Sequence, residues 1–130
     1  MLKALLITCA VAELGAGLGL VFAPARLTDI LVGGAISGSP GLEIARIAGV
    51  ALIALAIACW AAREDSGSRA ACGIVGAMFV YNAGAGVVLV HAGLSGRHGI
   101  GLWPTALLHA CLAVWCIFRL RSCRALRHLP

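Results

Sequence analysis

Long polar stretches are missing from this sequence, and with them any segment able to fold as a soluble domain of its own. Charge is scarce: Asp, Glu, Lys and Arg together make up 12% of the 130 residues, and aromatic residues only 5%. Ten-residue runs that alternate apolar and polar side chains are also absent, which excludes the strand pattern of an outer-membrane barrel and leaves helices as the spanning alternative. No C-x-x-C pair occurs among the six cysteines. The sequence holds no G-x-S-x-G, no H-E-x-x-H and no phosphate-binding loop, so no catalytic residue and no metal ligand is assigned.

What is present is apolar. Hydrophobic residues reach 62% of the chain and mean hydropathy is +1.02, figures that belong to a membrane protein. The apolar residues fall into four blocks, and these predict an all-α, integral membrane four-helix bundle with spans at about 4–22, 41–62, 70–91 and 102–118. The whole chain, 1–130, reads as a single transmembrane domain with a basic tail over 119–130. Met1-Leu-Lys3 and the small residues Ala23-Pro24-Ala25 outline a secretory signal, but the apolar run is longer than a signal core and is interrupted by Glu13. The first span is therefore expected to be retained. Between the first two spans, Leu27, Ile30 and Leu31 recur at helical spacing opposite Arg26 and Asp29, behind Pro24, and predict a short interfacial helix. Ser39-Pro40 is expected to cap and begin the second long helix.

Four residues are out of place in such blocks. Glu13 lies near the middle of the first span, where an acidic side chain costs about 2.5 to 3.5 kcal/mol on translocon scales. Arg46, Asn82 and His109 interrupt the other three. At about 1.5 Å per residue, and measured from the end bearing the termini, Glu13 and His109 lie at roughly 14 Å, Asn82 at roughly 18 Å and Arg46 at roughly 24 Å. The expectation is one polar cluster inside the bundle, in which Glu13 bonds His109 or Asn82 and Arg46 reaches toward it. These four are the candidates for ligand binding or proton coupling. The same residues can serve instead as interhelical glue worth roughly 0.6 to 2 kcal/mol per contact, and Tyr81 reads as packing with its hydroxyl satisfied locally.

Lys and Arg counts set the expected orientation. Lys3, Arg63, Arg69, Arg119, Arg121, Arg124 and Arg127 fall on one side, against Arg26, Arg46 and Arg97 on the other, which predicts that both termini are cytoplasmic. The surplus of arginine in the tail suits anionic lipid and needs no nucleic acid. Small residues four apart, Gly15 with Gly19, Ala45 with Gly49 and Gly73 with Ala77, predict close helix approach within one chain or between copies. On the cytoplasmic side thiols stay reduced, so disulfides are not expected and the cysteines read as small packing residues, with a soft-metal path along Cys9, Cys59, Cys72 and Cys116 as the other reading.

The stretch Arg46-Ile-Ala-Gly49 through Trp60-Ala-Ala-Arg63, after Phe22-Ala-Pro-Ala-Arg-Leu27, resembles the small bacterial four-helix membrane proteins called DoxX-like. The likeness covers roughly half of the chain. It implies a multi-pass protein of the bacterial inner membrane, in some members a redox-linked subunit and in most without an assigned activity. The Glu13-centred band then reads either as a binding site for a small or lipid-soluble molecule or as packing glue, and the cofactor stays open. Glu13 on the first span also resembles the membrane-embedded glutamate of the small multidrug-resistance exporters, implying a proton-coupled exporter and a homodimer. Departures are plain: no aromatic residue accompanies Glu13, Arg46 stands in the second span, and the segment between the first two spans is longer than that family's turn. An accessory subunit of a larger membrane complex is the third reading, since the soluble portion is almost nil.

Overall fold

A computed structural model describes residues 2–65 and 68–125, with side chains through residue 123. Among the described residues every regular element is helical: α1 (Leu2–Phe22), α2 (Pro24–Val32), α3 (Ser39–Ala62), α4 (Arg69–Leu94) and α5 (Leu102–Ala125). Four of them, α1, α3, α4 and α5, are long and apolar enough to cross a membrane. The short helix between the first two is α2, opened by Pro24 in its first turn and closed by Gly33 in the left-handed conformation (φ 70°).

The long helices associate as two pairs, α1 with α3 and α4 with α5. Small side chains explain the first pairing. Residues Ala45, Gly49, Leu52, Ala56, Cys59 and Ala62 form the buried stripe of α3, and Gly49 meets Gly17 of α1. A Cβ added at Gly17 would lie 2.8 Å from the Gly49 carbonyl oxygen, and one added at Gly49 would lie 2.8 Å from that of Gly17. The two backbones touch. Of the small-residue steps expected from the sequence, Ala45 and Gly49 are therefore in the interface, whereas a Cβ at Gly15 or Gly73 would meet nothing.

The two pairs close on each other at the end that carries the termini. There Leu5, Leu6, Cys9, Cys59, Val75, Met78, Leu112 and Cys116 from all four long helices form one buried cluster. Outward positions such as Val11, Ile47, Ile57, Val87 and Leu107 stay exposed, so the exterior is as apolar as the core. Lys3 Nζ lies 2.7 Å from Glu64 Oε1 at this end, and Arg63 covers the Trp60 ring at 4.0 Å. The neighbouring Lys3 ammonium draws the exposed Glu64 carboxyl below its ordinary range.

At the opposite end the turn between α4 and α5 docks on the end of α2. Gly101 donates its backbone N–H to the Ile30 carbonyl at 2.9 Å, and Gly99 is packed so closely that an added Cβ would overlap the Leu31 carbonyl. Only glycine fits there. Helix α2 thus lies over the seam between the two pairs.

Three details differ from the sequence reading. Ser39 is the first residue of α3 and does not cap it; Gly38, with φ 88°, makes the turn instead. The last long helix continues beyond Phe118 to Ala125, although Arg119 and Arg121 interrupt its apolar character. That extension carries Cys123 alongside Cys72, and the two form a disulfide with Cα atoms 6.2 Å apart, where no disulfide was expected. Of the basic tail, Arg127 and its neighbours lie outside the described residues.

Candidate functional site

Glu13 sits on the inner face of α1, in register with Leu6, Cys9 and Gly17, and is 1% exposed. Above the shared core the helix pairs part, and Glu13 lines the cavity between them. Its volume is about 390 Å3. Ala12, Ala16 and Leu20 of α1 form one wall and Ala85, Val88 and Leu89 of α4 the other, with Thr105, Leu108 and His109 from α5; Leu27 and Leu31 of α2 form the roof. Val88 and Leu108, both exposed, mark where the cavity opens sideways.

The polar groups gather at its floor. His109 Nδ1 lies 2.8 Å from Asn82 Oδ1, and Asn82, fully buried, donates its amide to the Met78 carbonyl oxygen at 2.8 Å. Tyr81 presents its ring edge-on to that of His109, with centroids 5.6 Å apart and planes at 77°. Tyr81 lines the same cavity as Glu13. Glu13 Oε1 nevertheless has no hydrogen-bond partner. A buried acceptor without a partner costs of order 1 to 3 kcal/mol, so the fold carries Glu13 at a loss that packing alone does not return.

Of the four candidate residues the structure brings together three. Glu13 and His109 share the cavity and Asn82 stands behind His109, holding the ring. The expected bond from Glu13 to His109 or Asn82 is not formed, because those two satisfy each other. Arg46 is apart from them. It is exposed, and with Arg26 it flanks a cleft against Phe22, Pro24 and Leu42 at the corner between α1 and α2. The reason is angular: Ala45 and Gly49 belong to the buried stripe of α3, and Arg46, one residue on, is turned about a quarter of the way round the helix.

Two lining residues escape a sequence reading. Tyr81 packs against the core as expected, and it also lines the cavity. Thr105 adds a hydroxyl near the roof. Among the described residues no group of three His, Cys, Asp or Glu side chains could hold a metal ion. The thiol path does not persist as a set: Cys9, Cys59 and Cys116 are free and buried in the core, while Cys72 is bonded to Cys123. No family model, curated protein or solved structure matches the chain.

Proposed function

We propose that this chain is a small multi-pass protein of the bacterial inner membrane, of the DoxX-like kind, and that the cavity between its helix pairs binds a small or lipid-soluble molecule. One observation carries the reading: a buried carboxyl with an unpartnered oxygen lines a cavity of about 390 Å3 that is otherwise mostly apolar. Small-molecule sites take about 300 to 1,000 Å3 and combine apolar walls with a few polar groups. In a bilayer the sideways opening at Val88 and Leu108 faces hydrocarbon, so the ligand arrives through the lipid. An ionisable residue kept at midplane depth against its insertion cost is a mark of function. The redox-linked role of some DoxX-like proteins is the activity class this resemblance brings.

The surplus of Lys and Arg on the side of the termini supports cytoplasmic ends. Under that topology Cys72 and Cys123 face a reducing compartment. The bond between them in the structure bears against that placement, and their state in intact cells tests it: thiols trapped as reduced by a permeant alkylating agent under denaturing lysis support the topology, and a pair freed for alkylation only by reductant overturns it.

Native mass spectrometry of the protein released gently from its own membranes tests the binding reading. The expected result is a chain that retains a small-molecule mass, and loses it in Ala16→Phe, which fills the cavity wall. A dimer with no added mass, together with proton-coupled transport that disappears in Glu13→Gln, would replace this reading with the exporter. A second polypeptide in the assembly would replace it with the accessory subunit.

A further inference from the structure

The floor of the cavity specifies the chemistry of what it binds. Asn82 settles the proton on His109. Its amide nitrogen lies 2.8 Å from the Met78 carbonyl oxygen, which can only accept, so the NH2 group points that way and Oδ1 points to His109. Oδ1 also only accepts, and at 2.8 Å it therefore requires the proton on His109 Nδ1. In the neutral ring this leaves Nε2 with a lone pair and no partner. The edge-on contact with Tyr81 fixes the ring plane further.

Around it, Glu13 and Tyr81 line the same cavity, and Glu13 Oε1 has no hydrogen-bond partner. No lysine or arginine forms an ion pair with Glu13 among the described residues. His109 Nε2 is thus an acceptor in want of a donor, with apolar walls above it.

We propose that the site selects lipid-soluble molecules whose head group donates a hydrogen bond, a phenol or an alcohol on an apolar body, and that His109 Nε2 receives that proton while Asn82 acts as the positioning residue that keeps Nε2 free. This rests on the cavity being a binding site at all. A ketone or ether brings only lone pairs to Nε2, which itself only accepts, and a quaternary ammonium brings no proton. The hydroxyl both donates to Nε2 and leaves its own lone pairs for Thr105.

The test is a competition in lipid nanodiscs doped with para-octylphenol and para-octylanisole at equal mole fraction in the lipid, read by native mass spectrometry of the intact protein. The two probes share a body and differ in the donor. The phenol is expected to be bound about tenfold more than the methyl ether, the worth of one hydrogen bond, and the ratio is expected to fall toward one in His109→Phe, which keeps the ring and removes the lone pair. Equal occupancy in the unmodified protein, or a preference for the ether, overturns the donor assignment while leaving the cavity as a binding site. A preference that survives His109→Phe overturns the role of His109. Absence of both masses, or binding of both that Leu89→Trp does not reduce, overturns the cavity reading itself and this inference with it.

Discussion

The seam between α1 and α3 and the seam between the two helix pairs run through the same small bundle and solve opposite problems. In the first, Gly17 and Gly49 bring two backbones into contact. In the second, Glu13, Tyr81 and His109 keep the pairs apart above a shared apolar core and a cavity remains. Where nothing outside the helices needs to be recognised, the chain removes side chains until only backbone is left. Where it spends polar groups, it leaves room beside them.

The comparison breaks most sharply at the glycines. Gly49→Val places a methine carbon 2.8 Å from the Gly17 carbonyl oxygen with backbone on both sides, and stability in detergent is expected to fall by about 3 kcal/mol or the fold to be lost. Gly73→Val, at a position open to the outside, should cost under about 0.5 kcal/mol in the same thermal scan. Equal losses at the two positions would mean that α1 and α3 do not meet as described.

Asn82→Leu comes next. It leaves His109 Nδ1 without its acceptor inside the seam, an expected loss of about 1 to 3 kcal/mol in chemical denaturation. Glu13→Leu should move stability the other way, by about 1 kcal/mol, because an orphaned acceptor is removed and no partner is stranded. If Glu13→Leu is destabilising and adding Arg46→Leu restores the loss, the two side chains pair after all and the polar seam is structural glue.

The smallest effect belongs to Lys3 and Glu64, which lie outside both seams. Lys3 depresses the Glu64 carboxyl, so its contribution is present above the ordinary glutamate value of 4.5 and is lost as pH falls through the lower, folded value. Lys3→Met should flatten only that acid limb of the Tm profile, and 1 M salt should mask the difference in the parent protein.

Hydropathy makes the four long helices legible, and Pro24 with its spaced leucines makes α2 legible, because both signals are local. Depth along a helix is also local arithmetic, which is why Glu13, Asn82 and His109 can be placed at one level before any contact is known. Azimuth is not read from depth. Arg46 lies at a plausible height and faces away, and only the stripe Ala45, Gly49, Leu52, Ala56 shows it. Tyr81 and the cavity depend on how two helix pairs lean against each other, which no single segment encodes. The bond between Cys72 and Cys123 spans 51 residues and depends on how far α5 continues past its arginines.

The bond from Gly101 to Ile30 ties the roof of the cavity to the turn beside it. If the cavity is the binding site proposed above, its ligand enters from the side, within the plane of the bilayer. A ligand that reaches its site this way is counted as a mole fraction of the lipid and not as a concentration in water. Two molecules of equal fit will then fill the cavity in proportion to how strongly each dissolves in the membrane, and diluting the sample with lipid will empty it while diluting with buffer will not.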